Sequence, residues 1–301
     1  MPETTLAAAN LRIATDKQRN MARFIEAIGE AADKGARVLV LPEAGLQGYI
    51  DFGYARAAKE TVEQKQYFYR ESETIPGPAT DRIAAEARRH NMFIQIGLAE
   101  RALNGNAIFN STALVGPEGV VSVFRKIHNH FEWPYFLPGE DTPIADLPFG
   151  KSGSIICYDL CFPEIVRSYA LRGADMILMS NAWPMRGHDR DTDYHGYAMD
   201  LAAKANAFFN QCWLVISNHC ETGTGVDKFD YYGGSQIVDP RGVVVAYAAQ
   251  DEAVLTHTAD LQAVLREART DSFFGMNLLQ DRRPEHYGPL VDQSYRRVPI
   301  K

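Results

Sequence analysis

The chain has little that would bind it to a charged polymer or a lipid surface. Lys and Arg number 31 against 38 Asp and Glu, a formal net charge of −7 over 301 residues. That balance argues against phosphate backbones and anionic membranes, so neither nucleic acid nor membrane is expected as a partner. No run of about 20 apolar residues occurs, so no membrane-spanning helix is expected. Cysteine is scarce: there are four, at 157, 161, 212 and 220, with no Cys-x-x-Cys pair. A chain of this length needs no disulfide staples, and free thiols fit a reducing cytosol. Cys157 and Cys161 lack a Cys/His pair to complete four ligands, so no zinc, and no other metal or cofactor, is expected. The opening Met-Pro-Glu-Thr-Thr has neither a basic segment nor an apolar one, so no signal peptide and a cytoplasmic location are expected. Low-complexity tracts, repeats, Pro/Gly-rich linkers and a glycine-rich phosphate loop are also missing.

What is present is ordinary globular composition, 46% hydrophobic and 23% charged. Strand-like and helix-like patterns alternate. A strand over 5–9 is followed by a helix that Asp16 caps and Gly35 stops, with Met21, Phe24, Ile25, Ile28 and Ala32 at helical spacing. A buried strand over 37–41 then ends at Pro42-Glu43. A helix over 79–90, capped by Thr80 or Asp81, leads to a strand over 92–98. Two hairpins turn at Gly116-Pro-Glu-Gly119 and Asp239-Pro-Arg-Gly242. Strands are expected over 154–157, 175–180, 212–217 and 254–259, and helices over 163–172, 193–210 and 260–268. The pattern predicts a single α/β domain over 1–265, with mixed sheets and helices outside. Residues 266–301 read as an arm packed on the domain or on a neighbouring subunit.

Cys157 is the residue most suggestive of chemistry. It ends a short apolar strand ahead of Pro163, which opens a helix. Helix amino termini favour a thiolate, and a thiolate there is a nucleophile. A lone cysteine also admits a plain core reading. Two other strands end in reactive groups, Glu43 and Lys126. Sites in α/β folds gather outside the carboxyl ends of strands. A carboxylate, an ammonium and a thiol there can share acyl transfer. Taken singly, Glu43 could be a helix cap and Lys126 a surface charge.

Three segments together resemble the signatures of the nitrilase superfamily of carbon–nitrogen hydrolases. They are Leu39-Val-Leu-Pro-Glu43, Phe124-Arg-Lys126-Ile-His128 and Ile156-Cys157-Tyr-Asp-Leu-Cys-Phe-Pro-Glu164. Phe136-Leu-Pro-Gly139, Arg167 with Gly173-Ala-Asp175, Asn181-Ala-Trp183 and Gly233 to Gly242 follow in the same order. The resemblance spans about 4–265. It implies a four-layer α-β-β-α sandwich. It implies Glu43 as base and acid, Lys126 as transition-state stabiliser, Cys157 as nucleophile and the Tyr158 backbone N–H as second oxyanion donor. Glu132 aligns with a second carboxylate near the triad. It also implies a homodimer or larger homo-oligomer, formed through the helix after the nucleophile or through C-terminal arms.

Tyr158-Asp159 follows the nucleophile where true nitrilases usually carry Trp-Glu. This is similar to the amidase and carbamoyl-hydrolase branches, so a small-molecule amide or ureido substrate is expected, with a nitrile as the alternative. Cys161 replaces an arginine that helps omega-amidases hold a substrate carboxylate. Family geometry places substrate contacts at Tyr49, His128, Trp133, Asn181, Ala182 and Trp183, with further aromatics at Phe52, Tyr54, Phe131, Tyr135, Phe136, Tyr194 and Tyr197, and Met185 beside them. Asp159 is expected to cap the following helix, and Glu164 to pair with Arg167. His188, Asp189, Asp191, Asp193 and His195 read as a solvated loop and helix cap. A catalytically idle binding module and an ammonia-supplying subunit are the competing classes.

Overall fold

A computed structural model describes residues 2–49, 58–130, 132, 135–185, 189–220, 230–271 and 275–295. The strands, in chain order, are β1 (Thr4–Asn10), β2 (Ala36–Val40), β3 (Phe93–Arg101), β4 (Ile108–Gly116), β5 (Gly119–Arg125), β6 (Ile144–Leu147) and β7 (Gly150–Ile156). They continue with β8 (Met176–Ser180), β9 (Pro184–Met185), β10 (Trp213–Ser217), β11 (Asp230–Tyr231), β12 (Ser235–Val238), β13 (Val244–Ala248) and β14 (Ala253–Ala259). The helices are α1 (Lys17–Asp33), α2 (Ala58–Glu71), α3 (Pro78–His90), α4 (Pro163–Leu171), α5 (Tyr194–Asn210) and α6 (Leu261–Arg266).

Two six-stranded sheets stack face to face. Their orders are β14-β1-β2-β3-β4-β5 and β13-β12-β10-β8-β7-β6. Each is mixed: β1, β2 and β3 run parallel in one, and β7, β8 and β10 in the other. These central strands are buried on both faces, which is why they read as continuous apolar runs. In β1, Ala7 and Ala9 face α1 and α3, while Leu6 and Ala8 face the second sheet. Outside the second sheet, α4 and α5 cover Ile155, Ile177 and Leu214. The layers are therefore helix, sheet, sheet, helix, as the sequence predicts.

Local rules explain most boundaries. The Asp16 carboxylate accepts from the Gln18 and Arg19 amides and starts α1. Asp260 caps α6 in the same way. At α3 the expected cap is corrected. Gly77 is the N-cap, and the Thr80 hydroxyl reaches back to its amide, because Pro78 already fixes the first helical position. Beyond α6 the chain folds back on the far end of α4 and α5. There Arg167 donates to the carbonyls of Phe209 and Leu278, so it does not form the expected pair with Glu164. Among the described residues, no helix is long and apolar enough to cross a membrane.

The facing sheets are apolar through most of their contact, but at the carboxyl ends of the parallel strands they meet through a polar seam. The Ser180 hydroxyl donates to the Leu41 carbonyl at 2.8 Å, and Gln95 Nε2 donates to the Leu178 carbonyl at 3.2 Å. The Ser154 hydroxyl donates to Gln95 Oε1 at 2.7 Å, and the Ser217 hydroxyl to the Ala9 carbonyl at 2.5 Å. These groups are buried and mutually satisfied, so they fix the slide of one sheet over the other.

Gly97 sits at the same end of β3. A Cβ there would lie 2.3 Å from the Pro42 carbonyl oxygen and 2.8 Å from the Glu43 Cα. Gly97→Ala is expected to lose about 1–3 kcal/mol in urea unfolding, because backbone must move. Gly29→Ala is the contrast. Gly29 lies in α1 with nothing within 4 Å of its added Cβ, so that variant should gain about 0.5–1 kcal/mol.

Candidate active site

Glu43 leaves β2 through a sharp turn. Its amide donates to the Asn181 carbonyl at 3.2 Å, and Ala44 takes the left-handed region at φ +42°. Lys126 follows β5, with its amide on the Asn110 carbonyl at 2.8 Å. Cys157 follows β7 and opens a 3₁₀ turn over Cys157–Cys161, also left-handed at φ +46°. Each left-handed non-glycine residue costs about 1–2 kcal/mol, so both turns are held by their surroundings.

The side chains converge. Lys126 Nζ lies 2.7 Å from Glu43 Oε1 and 2.5 Å from Glu132 Oε2. Glu43, Lys126 and Glu132 are at most 2% exposed, and Cys157 is 8% exposed. Tyr49 donates to both carboxylates, at 3.2 Å to Glu43 and 2.7 Å to Glu132. Asn110 Nδ2 does the same, at 2.6 and 2.8 Å. The charges of Glu43, Lys126 and Glu132 all act on the Cys157 thiol, whose sulfur accepts from the Ala182 amide.

Burial sets the protonation states. It raises the Glu43 carboxyl above the usual carboxylate range; Lys126 opposes this and Glu132 adds to it. Burial works against the Lys126 ammonium, yet Glu132 and Glu43 outweigh it and hold the pKa well above the ordinary value. Burial, with the Glu43 charge, pushes the Cys157 thiol well above its ordinary value. The thiolate that a helix amino terminus favours is opposed here: Cys157 opens its own 3₁₀ turn, and burial with the Glu43 charge works against its ionisation.

Asp159 is also corrected. It does not cap α4, whose N-cap is Phe162 with no side-chain bond. Asp159 lies inside the 3₁₀ turn, where it accepts from the Ile156 amide at 3.1 Å, the His128 amide at 3.0 Å and His128 Nδ1 at 2.7 Å. His128 stacks on Phe162 at 3.8 Å. Together they clamp the segment after Lys126 to the nucleophile turn.

Of the expected substrate contacts, Tyr49, Ala182 and His128 are brought to the cluster or its edge. Asn181 contributes its backbone carbonyl, while its side-chain amide turns to Met199. Trp183 is anchored by the Asn218 side chain and the His195 carbonyl. Tyr135 and Phe136 pack with Phe68 and Tyr49. Met185 is buried with α5, whereas Tyr194 and Tyr197 are corrected to the outer face of α5, 74% and 61% exposed. Asp189 and Asp193 act as caps. Trp133, Phe52, Tyr54, Phe131 and His188 lie outside the described residues.

The sequence pattern of the carbon-nitrogen hydrolase family matches residues 5–269. The chain belongs to this family. A protein of Pseudomonas protegens named as the hydrolase in the pqqF 5′ region is 34% identical, over 91% of this chain and 87% of that protein. The N-carbamoylputrescine amidase of Solanum tuberosum is 28% identical, over 95% and 94%. Nit3 of Saccharomyces cerevisiae, a member of the nitrilase superfamily, superposes with a TM-score of 0.77 at 23% identity, over 91% and 95%. This carbon–nitrogen hydrolase is thus an enzyme acting on non-peptide C–N bonds.

Sequence reasoning passed over two residues of the hydrolase site. Asn110 carried a signal, an amide inside the otherwise buried strand β4. His219 carried less, a histidine just past an apolar strand. It is 1% exposed, and its Nε2 lies 2.7 Å from the Glu43 carbonyl oxygen.

Lys126→Met would leave Glu43 and Glu132 buried and facing each other. The expected loss is about 3–5 kcal/mol in urea at neutral pH. The deficit should shrink as the pH falls and a carboxylate takes up a proton. Adding Glu132→Gln should recover part of it.

Proposed function

We propose that the enzyme hydrolyses a linear amide or N-carbamoyl bond of a small molecule through a thioester on Cys157. The observation that carries this reading is the buried contact of Lys126 with both Glu43 and Glu132, beside the Cys157 thiol. Burial, with the Glu43 charge, works against a thiolate at Cys157. The thiol therefore keeps its proton until a carbonyl arrives to receive the charge. Sγ then attacks the carbonyl carbon as its proton passes to Glu43. The C=O electron pair moves to oxygen, which Lys126 Nζ and the Tyr158 N–H stabilise. Collapse breaks the C–N bond, and Glu43 returns the proton to the departing nitrogen. Water gives a proton to Glu43 and attacks the thioester. The acid leaves, and the thiol is restored.

An amide or ureido group is preferred over a nitrile because Tyr158-Asp159 departs from the Trp-Glu of nitrilases. The similarity to N-carbamoylputrescine amidase supports the same branch. The four free thiols suit a cytoplasmic location. The reaction needs no cofactor, and neither nucleic acid nor membrane takes part. Tyr194, Tyr197, Leu201 and Phe208 form one exposed stripe of α5, which we assign to contact with a second copy of the chain.

Cys157→Ala should abolish ammonia release across a panel of amides and ureido acids while keeping the melting temperature within a few degrees. Turnover near the normal rate would end the assignment. Glu43→Gln should lose about 10²- to 10⁴-fold in rate. Because the Glu43 carboxyl is raised and must be ionised to accept the thiol proton, the acid limb of kcat/KM should fall above the ordinary 4.5. A limb at or below that value contradicts Glu43 as the base.

A further inference from the structure

Among the buried polar atoms without a partner, two belong to aromatic residues beside the proposed site. One is His219 Nδ1. Since Nε2 donates its hydrogen to the Glu43 carbonyl, Nδ1 is a bare acceptor, and it has no partner. The other is the Tyr135 hydroxyl, buried and equally unpartnered. A buried polar group left unpaired costs about 1–3 kcal/mol, so two in one place call for a ligand.

They do share a place. The His219 ring lies 4.4 Å from Tyr231 and 6.4 Å from Tyr49, whose hydroxyl touches Glu43 and Glu132. Tyr135 is close enough to feel the charges of Glu132, Lys126, Glu43 and Tyr231. Tyr231, Tyr49 and Tyr135 belong to one aromatic cluster beside Ala182. The two orphans therefore belong to residues at one aromatic cluster, beside Glu43 and Glu132. Burial holds the His219 pKa at about 4, so at neutral pH the ring is an uncharged acceptor.

We propose that His219 Nδ1 and the Tyr135 hydroxyl form a subsite for the substrate's tail, selecting amides whose tail carries an N–H or O–H donor over tails ending in methyl or carboxylate. This rests on the amide-or-ureido reading and adds the class of substrate. A carboxylate tail would meet a lone pair at Nδ1 and the charges of Glu43 and Glu132. An ammonium or hydroxyl tail would satisfy Nδ1, and Tyr135 can accept from or donate to the same group.

Four near-isosteric primary amides test this: γ-aminobutyramide, γ-hydroxybutyramide, valeramide and succinamate. Wild-type enzyme should favour the amino or hydroxyl compound over valeramide about tenfold in kcat/KM, the size of one neutral hydrogen bond, and should disfavour succinamate. His219→Gln can keep a donor for the Glu43 carbonyl while losing the Nδ1 acceptor. It and Tyr135→Phe should each shrink that ratio severalfold, whatever happens to the absolute rates. A wild-type ratio at or below one, preference for succinamate, or a ratio unchanged in His219→Gln would each overturn the proposal. If neither these amides nor ureido acids release ammonia, the hydrolysis reading fails separately. Calorimetric binding of the same four compounds to Cys157→Ala then still reads the tail preference. Calorimetry also decides the matter if His219→Gln fails to fold.

Discussion

The Lys126 ammonium is what allows this site to exist. Two carboxylates sealed from water cannot stay close and ionised without a cation between them. Lys126 bonds to both, at 2.7 and 2.5 Å, and its own charge is kept by the same pair. The surroundings complete the cage with neutral donors, Tyr49 and Asn110, each reaching both carboxylates. Such a set has one low-energy arrangement, because moving any member strands a charge. Rigidity of this kind is what a reaction centre needs, since donors fixed in advance need not reorganise as charge develops.

A second constraint follows from where the groups originate. Glu43 and Lys126 leave strands of one sheet, and Cys157 leaves a strand of the other. Apolar packing alone tolerates small slides between facing sheets. The seam of Ser180, Gln95, Ser154 and Ser217 does not, because each buried hydroxyl or amide would lose its partner. Above the seam, the Glu43 amide reaches Asn181, His219 holds the Glu43 carbonyl, and Asp159 with His128 ties the Lys126 exit to the nucleophile turn. Sheet register and the geometry of the Glu43, Lys126 and Cys157 cluster are thus one property.

Much of this was legible in residues that act locally. Asp16 and Asp260 announce their helices because capping is a short-range bond. The hairpin at Gly116 to Gly119 follows from turn chemistry. Glu43, Lys126 and Cys157 stand out because each ends an apolar strand. What escaped depends on distant partners. Helix α2 is polar along most of its length, and of its buried residues, Gln64, Tyr67 and Phe68, the two aromatics pack in the aromatic cluster. Strand β6 is four residues long and is defined by pairing with β7. Asp159 reads as a cap until the fold brings His128 to it. The raised Cys157 pKa could not come from helix position, because burial is its larger cause and the Glu43 carboxylate that adds to it arrives from the other sheet.

That protonation state completes the physical picture. A nucleophile with a raised pKa looks handicapped, since the thiolate is the attacking species. The handicap disappears if ionisation and attack occur together. In the proposed mechanism, proton transfer from Cys157 to Glu43 moves a negative charge within the cluster and leaves the total unchanged. The charge then passes onto the substrate oxygen, beside the cation that the carboxylates have held in place. On the proposed mechanism, a site built on one buried cation shared by two acids is matched to an uncharged carbonyl group that becomes negative only in the transition state.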